Sequence, residues 1–497
     1  MVTKKRESFV VSLHSRVDEE PLTLYENLVI GAQRYVNSRG GRYSLLILIT
    51  LLAAVLRLYK LGEWSFWDDE VLTLWDSTDL SNINMNYPLY YVLANLSISW
   101  LGISEWSLRF PSAVAGIITV PALYFPIRRL FGHSVGLLTG LLIAVSPWHI
   151  YWSQNARFYV LMFLFYSLAL LSFLLAVQLD KGRYAILSVF LLALAILSHW
   201  TALFLMPVVL LYLLLTVILP FEKPAGLKVR NVALFLGPCI IGAALLSFRV
   251  AKLWGRLNEN FVVGGMQAPE FLRYTNTADR FIWDTVYLIG VPVFWLGLLG
   301  MVFLLVRRRH GGIFLLLAAV IPAFSLAPLA SQLGVVTRYA FLALVGWFIL
   351  AALAITELLG RERGTAKVTA LVLFAIPLLI FLFGDVEYFT YQDGYRRDWK
   401  AAMEVVQRQR LPNDLVLASV PHLASYYLKD DVQFVRDLDP KFVAAQGRRV
   451  WIIVDTKAEW LEPELWQPFE RRTRLVADFD FLLGREKYLL RVYLYDP

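Results

Sequence analysis

The chain has 497 residues, of which 58% are hydrophobic and only 17% charged, a composition that excludes an ordinary soluble protein. Its net charge of +8 does not indicate a nucleic-acid partner, because the Lys and Arg residues form short clusters between apolar runs. The single cysteine, Cys239, excludes a disulfide within the chain. We therefore interpret the chain as an integral membrane protein whose helices satisfy their own backbone hydrogen bonds in the lipid bilayer.

Residues 1–43 are polar and basic, and they lack the apolar core and cleavage site of a secretory signal peptide. We interpret them as a cytoplasmic tail. After them, apolar runs of the roughly 20 residues that cross a bilayer recur up to residue 384. The pattern predicts a polytopic α-helical domain, residues 44–384, with about 11 transmembrane helices at 44–59, 110–127, 134–150, 158–178, 184–198, 200–219, 231–248, 285–306, 313–330, 339–358 and 368–384.

The short basic clusters indicate how these spans are oriented. With the amino terminus inside, every cluster falls on the cytoplasmic face, where Lys and Arg are enriched. The carboxyl terminus is then external, and we expect the protein in a bacterial inner (plasma) membrane. The clusters are Arg128-Arg129, Lys181 with Arg183, Lys223 with Lys228 and Arg230, Arg307-Arg308-Arg309, and Arg361 with Arg363 and Lys367.

Residues 60–109 form the first external loop in this topology. Its apolar piece Pro88–Leu101 is too short to span comfortably and is rich in Tyr, Trp, Asn and Ser, which is typical of an interfacial helix. Counting it as a crossing would invert every later basic loop. We therefore expect juxtamembrane helices in this loop.

Residues 385–497 have the composition of a soluble α/β domain from about residue 395 onward. Residues 398–409 show a helical pattern, and residues 414–419, 449–455 and 487–495 are predicted strands. The topology places this domain on the extracytoplasmic face.

Three consecutive acids, Asp68, Asp69 and Glu70, follow the first span. Carboxylates so close to lipid and to one another are costly, and Trp64 and Trp67 lower the local dielectric further. A solvated loop start beside an aromatic belt would also account for them. Because ionisable residues at membranes usually mark functional sites, we interpret the run as a general base held at the bilayer surface.

A series of short motifs follows this run in a characteristic order. No single motif is specific, but together they resemble the protein O-mannosyltransferase-like, ArnT-like superfamily of GT-C glycosyltransferases (family 39-type) over residues 45 to about 215. The resemblance rests on Trp67-Asp68-Asp69-Glu70, Tyr87-Pro88-Leu89-Tyr90-Tyr91, Glu105-Trp106-Ser107-Leu108-Arg109-Phe110-Pro111, Arg128-Arg129-Leu130-Phe131-Gly132, Ser146-Pro147-Trp148-His149, Gln154-Asn155-Ala156-Arg157-Phe158-Tyr159 and Ser198-His199-Trp200, with Arg338-Tyr339 further on.

The resemblance implies that Asp69 and Glu70 match the acidic pair that supplies the family's catalytic Asp. It also implies a polyprenyl-phosphate-sugar donor, an inverting transfer and a fold of eleven or more helices. Two departures from the family concern the sugar and any metal. Asn86-Tyr87-Pro88 stands where many relatives have a basic residue and a double proline, and Asn155 stands where many relatives have an acid. No cofactor is assigned, and a divalent metal is left open.

The donor's departing phosphate needs a fixed cation on the external face, and the planar fork of Arg can bind phosphate through two hydrogen bonds. Arg157 and Arg338 lie at external span ends, where the positive-inside bias disfavours a spare Arg, although snorkelling to the interface would also place them there. His199 is a third candidate for the phosphate or the acceptor, or else a structural residue of its turn. Supporting candidates are Gln154, Tyr159 and Arg109, of which Tyr159 is also explained as an aromatic-belt residue and Arg109 as a span anchor.

The sequence therefore predicts a membrane glycosyltransferase that moves a monosaccharide from a polyprenyl-phosphate-linked donor to an acceptor hydroxyl on the extracytoplasmic face. Asp69 is the predicted general base, and the acceptor is a glycan, a lipid or a protein. The alternative is a transporter or flippase of lipid-linked sugars. We find neither the internal repeats nor the broken helices that are typical of transporters.

Overall fold

The computed structural model describes residues 38–82, 87–220, 223–245, 247, 277–307, 310–330, 335–361, 364–391, 393–434, 447–455, 473–483 and 486–496. The predicted tail up to residue 37, the loop at 251–276 and the basic residues Arg308, Arg309 and Arg363 lie outside them. The chain divides into two compact units, residues 1–48 and residues 49–497. The candidate site lies wholly in the second unit.

Most of the described chain is helical, as its apolar composition predicts. Within the described residues, seven helices are long and apolar enough to cross a membrane, or nine if each of two bent pairs is one span. The seven are residues 40–58, 105–131, 159–179, 200–218, 310–329, 337–359 and 364–390. Helices Gly182–Ser198 and Val229–Leu245 are apolar but shorter. Each of the eleven predicted spans thus corresponds to a helix or a bent pair, and the protein is an integral membrane protein.

The membrane helices are numbered in chain order. They include α1 (Arg39–Leu58), α4 (Glu105–Phe131), α5 (His133–Ala144), α6 (Pro147–Ser153), α7 (Tyr159–Leu179), α8 (Gly182–Ser198), α9 (Leu205–Ile218), α10 (Val229–Leu245), α11 (Ala278–Ile289), α12 (Val291–Val306), α13 (His310–Phe324), α14 (Leu344–Leu359) and α15 (Gly364–Thr390). Short 3₁₀ turns precede α9 (Trp200–Phe204) and α14 (Thr337–Ala343). Almost every side chain of α7 and α14 is buried, so these two helices form the centre of the bundle.

Two predicted spans are broken in the structure, which corrects the expectation of unbroken helices. Helices α5 and α6 meet at 62°, where Pro147 begins α6 and the Ser146 side chain accepts a hydrogen bond from the His149 backbone N–H. Helices α11 and α12 meet at 89° at Gly290, whose φ of +95° is accessible mainly to glycine. The first break matters for function, because α6 leads directly into the segment that carries Arg157.

The loop of residues 60–109 contains two further helices, α2 (Asp68–Thr78) and α3 (Pro88–Leu101). The bounds of α3 are those of the predicted interfacial helix, which is confirmed as a helix. It packs against the start of α4, where the Ser97 hydroxyl donates a 2.5 Å hydrogen bond to the Ser107 carbonyl. The turn between α3 and α4 is closed by Ser104, whose side chain caps α4.

The carboxyl-terminal part forms a small α/β domain, as predicted. Its elements are α16 (Trp399–Gln409), β1 (Leu415–Ala418), α17 (Pro421–Leu428), β2 (Gln433–Phe434), β3 (Val450–Asp455), β4 (Arg474–Asp478), β5 (Phe481–Leu483), β6 (Glu486–Tyr488) and β7 (Leu490–Tyr495). Its five-stranded sheet has the order β2-β1-β3-β7-β4, in which β1 pairs in parallel with β2 and β3, while β7 runs antiparallel to β3 and β4. The core side chains include Leu417, Val450, Ile452, Val454 and Tyr493.

The predicted helix and first two strands of this domain agree closely with α16, β1 and β3. The predicted last strand is divided into β6 and β7, which belong to different sheets. Helix α17 was not predicted, and together with α16 it contacts the loop of residues 60–109.

Candidate active site

The three consecutive acids of the loop of residues 60–109 form the first turn of α2. Acidic side chains are favourable there because the amino-terminal end of a helix carries a partial positive charge. Successive residues of a helix point about 100° apart, so neighbouring acids face different surroundings. The structure accordingly gives Asp68, Asp69 and Glu70 three different sets of partners.

Glu70 is completely buried and fully bonded. Its two oxygens accept hydrogen bonds of 2.8 and 2.7 Å from Nε and Nη2 of Arg109, and Oε1 also accepts one of 2.7 Å from the backbone N–H of Ala156. Nε of Arg396 lies 3.7 Å from Oε2. Burial alone would raise the pKa of Glu70, but the two arginines and these hydrogen bonds outweigh burial and lower it.

Arg109 holds the chain that leads into α2. Its Nη1 donates to the carbonyls of Leu61 and Trp64 at 3.1 and 3.0 Å, and its Nη2 donates to the carbonyl of Ser65 at 2.9 Å. Together with its pair to Glu70, these bonds fix the loop and the first turn of α2 as one unit. Arg109, predicted as a supporting residue, is therefore the anchor of this loop.

Asp69 faces a different side of α2 from Glu70 and is partly exposed, with 24% of its side chain accessible. Its Oδ2 lies 3.2 Å from Nη1 of Arg338 and 3.7 Å from Nη2 of Arg157. Arg157 also donates to the Asp69 carbonyl at 3.1 Å and to the Thr73 hydroxyl at 3.0 Å. The structure thus brings together the predicted base and both predicted phosphate ligands.

The two arginines retain hydrogen-bonding capacity around Asp69. Within the described part of the chain, the Nε atoms of Arg157 and Arg338 are buried and have no hydrogen-bond partner. Their guanidinium groups lie over aromatic rings, Arg157 over Phe158 at 4.7 Å and Arg338 over Tyr159 at 6.0 Å. Buried donors without partners are rare, so this pair is suited to an anionic ligand.

His199 lies beside the arginines in a stack of rings. Its ring is nearly parallel to those of Tyr87, Phe158 and Tyr339, with centroids 4.9, 4.7 and 5.7 Å away, and its Nδ1 accepts a hydrogen bond from the backbone N–H of Thr201 at 3.2 Å. Burial and then the two nearby arginines lower the pKa of His199 to about 3. The ring is therefore neutral and supplies no positive charge for a phosphate.

Gln154 and Tyr159, the other supporting candidates, are both buried. Nε2 of Gln154 donates to the carbonyls at the end of α1, with 2.7 Å to that of Tyr59, and Oε1 accepts from the Tyr388 hydroxyl at 3.0 Å. The structure gives Gln154 the role of an anchor between α1, α6 and α15. Tyr159 contributes its ring to the wall behind Arg338.

Asp76 was not singled out from the sequence. It lies seven residues after Asp69 on the same face of α2, and it accepts a hydrogen bond from the nearly inaccessible side chain of Tyr91 on α3. Burial raises the pKa of Asp76, while Tyr91 and Arg157 oppose that effect. The spacing of Asp69, Thr73 and Asp76 at i, i+4 and i+7 is the signal that could have identified this face.

Two residues of the carboxyl-terminal part also reach the site. Arg396 is buried beside Glu70 and donates a 2.8 Å hydrogen bond to the Gln154 carbonyl. His422, on α17, contacts the carboxylate of Asp68 through its Nε2. Sequence patterns could not identify these residues, because their partners lie more than 200 positions away.

The described residues contain no group of three or more His, Cys, Asp or Glu side chains that could hold a metal ion. The cationic feature of the candidate site is the pair Arg157 and Arg338.

Comparisons with known proteins find one family model and several solved structures to which the chain is similar. Residues 86–241 match the family model of dolichyl-phosphate-mannose-protein mannosyltransferases. No curated protein sequence matches the chain. Among solved structures, ArnT from Cupriavidus metallidurans in the apo state is 13% identical with a TM-score of 0.59, covering 91% of this chain and 98% of that one.

Two further structures are similar. ArnT from Cupriavidus metallidurans bound to undecaprenyl phosphate is 12% identical with a TM-score of 0.57, covering 92% of this chain and 98% of that one. The oligosaccharyltransferase AglB from Archaeoglobus fulgidus, in complex with an inhibitory peptide and a dolichol-phosphate, is 14% identical with a TM-score of 0.56, covering 90% of this chain and 74% of that one.

The chain has the fold of the GT-C glycosyltransferases. Within that fold it is similar to the ArnT-like group, since ArnT aligns over nearly all of both chains and the mannosyltransferase model covers the segment that contains α3 to α9. The resemblance predicted from the motifs is confirmed.

Proposed function

We propose that the chain is a membrane glycosyltransferase that transfers a monosaccharide from a polyprenyl-phosphate donor to an acceptor hydroxyl. The observation that carries the proposal is the partly exposed carboxylate of Asp69 between Arg157 and Arg338, each with a buried Nε–H free of partners among the described residues. The similar structures with undecaprenyl phosphate and dolichol-phosphate support a lipid phosphate as the donor's leaving group.

In the proposed reaction, Asp69 accepts the proton of the acceptor hydroxyl as its oxygen attacks the anomeric carbon. The bond between that carbon and the phosphate oxygen breaks, and the lipid phosphate leaves with the electron pair. Arg157 and Arg338 stabilise the negative charge that develops on the phosphate. Direct displacement inverts the anomeric centre and forms no covalent sugar intermediate.

In this proposal Glu70 takes a different role from the one first predicted, and His199 takes the structural one of its two predicted roles. Because both oxygens of Glu70 are bonded and its surface is inaccessible, it positions the site instead of meeting a substrate. Its bond to the Ala156 backbone holds the segment that presents Arg157. His199, being neutral and stacked, shapes the wall of the phosphate site instead of contributing charge.

The proposal is tested with purified protein and a panel of undecaprenyl-phosphate-linked monosaccharides, by measuring undecaprenyl phosphate released in the presence of membrane extract as acceptor. We expect release with at least one sugar, and sugar incorporated into the extract. Movement of an intact donor between leaflets without release would instead identify a transporter or flippase.

The proposed topology puts the basic ends of the spans in the cytoplasm and the carboxyl-terminal domain outside, in a bacterial inner membrane. In a chain with Cys239→Ala, single cysteines at the exposed positions Asp430 and Arg361 report on the two faces. An impermeant thiol reagent added to intact cells should label Asp430→Cys and not Arg361→Cys. The reverse pattern would contradict the orientation.

A further inference from the structure

The segment that leads into the candidate base is held from two sides. Arg109 holds it from the membrane side, as described above. From the other side, the carboxyl-terminal domain contacts it through α16 and α17. The Tyr427 hydroxyl accepts a 2.6 Å hydrogen bond from the Phe66 backbone N–H, and the Ser65 hydroxyl accepts one of 2.9 Å from the backbone N–H of Lys400.

These contacts continue into α2 itself. His422, at the start of α17, binds the carboxylate of Asp68 and packs its ring edge against Trp75 with centroids 5.5 Å apart. The ring of Phe66 packs against Tyr426 at 5.2 Å. Helix α17 therefore contacts α2 at two places, at Asp68 in its first turn and at Trp75 further along the helix.

The consequence for the site follows from helix geometry. Asp68 and Asp69 are adjacent, so a rotation of α2 by about 100° would carry Asp68 into the direction that Asp69 now has. The pair of Glu70 and Arg109 opposes such a rotation from one side of the helix, and His422 on Asp68 opposes it from another, so Asp69 stays directed to Arg157 and Arg338. Two equivalent carboxylates are thus distinguished by a residue of another domain.

We propose that His422 is a positioning residue of the transfer reaction: by binding Asp68, it selects Asp69 as the carboxylate presented at the arginine pair. This inference rests on the proposed function. It makes the carboxyl-terminal domain a part of the catalytic unit, in which His422 acts through Asp68.

The test uses the full-length purified protein and four single variants. His422→Ala and Asp68→Ala remove the contact, whereas His422→Gln keeps a donor and Asp68→Asn keeps an acceptor. We expect kcat to fall about 10- to 100-fold in both alanine variants, because a displacement of about 1 Å at a reacting group can cost that much. The two conservative variants should recover most of the rate.

Two further measurements separate positioning from general damage. Because the arginines belong to other segments, the affinity for undecaprenyl phosphate should stay within about threefold of wild type, so the loss appears in kcat. The double variant His422→Ala/Asp68→Ala should be no slower than either single variant, since both remove one interaction. Asp430→Asn, which breaks the exposed pair with Arg410 in the same domain, is the matched control and should retain full activity.

Full activity in His422→Ala, or equal losses in His422→Ala and His422→Gln, would overturn the inference, as would additive losses in the double variant. These outcomes are distinct from failure of the proposed function, in which the wild-type protein itself releases no undecaprenyl phosphate from any donor.

Discussion

Glu70 and Asp69 are adjacent acids of one helix turn, yet they differ in burial and in their hydrogen-bond partners. Glu70 is inaccessible, and its oxygens are bonded to Arg109 and to the backbone of Ala156. Asp69 is partly exposed, and it meets two arginines at 3.2 and 3.7 Å. Both carboxylates are paired with arginine, so the presence of a pair does not by itself reveal the role of either.

We call the buried pair of Glu70 with Arg109 the inner pair, and the contacts of Asp69 with Arg157 and Arg338 the outer pair. The two differ in how many of their arginine N–H groups are already bonded. The arginine of the inner pair is almost fully used, since Arg109 also donates to three loop carbonyls. The arginines of the outer pair each retain a buried Nε–H without a partner among the described residues, as does Arg396, which lies 3.7 Å from Glu70. The outer pair differs in that its carboxylate is also accessible, so an unsaturated and accessible pair can receive a ligand, whereas a saturated and inaccessible one stabilises structure. The following predictions test this distinction.

The largest effect is expected for Asp69→Asn, which removes the proton acceptor and preserves the shape of the side chain. We expect transfer to fall by about 10²- to 10⁴-fold, the usual contribution of a positioned general base. The protein should insert normally and still bind undecaprenyl phosphate. Steady-state release of undecaprenyl phosphate measures the change, with Asp68→Asn as the matched control that should lose much less. Full activity in Asp69→Asn, or a trapped glycosyl-enzyme, would contradict the mechanism.

We expect the second effect, a lower stability of the folded protein, for Glu70→Gln. Removing one partner of a buried ion pair typically costs about 3–5 kcal/mol, because it leaves the other charge buried without compensation. We expect a clearly lower unfolding midpoint in detergent, measured by thermal denaturation. Glu63→Gln, which removes the exposed partner of Lys60, should change the midpoint little. An unchanged midpoint in Glu70→Gln would show that the inner pair is not the anchor we describe.

The same pair predicts a pH dependence of stability. The pKa of Glu70 is lowered on folding, so its contribution is fully present above the unfolded value of about 4.3 and is lost as the pH falls through the folded pKa. The midpoint difference between wild type and Glu70→Gln should therefore shrink on acidification. A difference that grows toward low pH would contradict the assigned direction.

Arg157 should affect donor binding more weakly than Asp69 affects the rate. Loss of a hydrogen bond to a charged group costs about 1.5–3 kcal/mol, which corresponds to roughly 10- to 150-fold in affinity for undecaprenyl phosphate in Arg157→Ala. Arg157→Lys keeps the charge and loses the planar fork, so we expect an intermediate loss. Binding is measured directly with undecaprenyl phosphate, and Arg408→Lys on the exposed face of α16 is the control. Unchanged affinity in Arg157→Ala would remove this residue from the phosphate site.

The smallest effect is expected for Asp76→Asn. Because folding raises the pKa of Asp76, its ionised form is disfavoured in the folded protein, and the neutral amide should stabilise the fold slightly at neutral pH. This gain should disappear below the unfolded pKa of about 3.9, where both states are protonated. Thermal denaturation at several pH values measures it. A variant less stable than wild type at neutral pH would show that the Tyr91 contact requires the charged form.

The sequence by itself determined the parts that depend on local pattern. Apolar runs determine the spans, and the short apolar piece Pro88–Leu101 is found as a helix with the predicted bounds. The acids after the first span and the arginines Arg157 and Arg338 could be selected because ionisable side chains are unusual at span ends. These signals are local, since each depends only on a residue and its neighbours in the chain.

The tertiary structure alone decided which acid is buried and saturated with hydrogen bonds and which is exposed beside two arginines. The choice depends on Arg109, which lies 39 positions from Glu70, and on Arg338 and His422, which lie 269 and 354 positions from their carboxylate partners. It also depends on the break before Pro147, which directs the Arg157 segment toward α2. Residues so far apart meet only when the helices pack, so the burial and bonding that separate Glu70 from Asp69 are properties of the packed chain and of no segment within it.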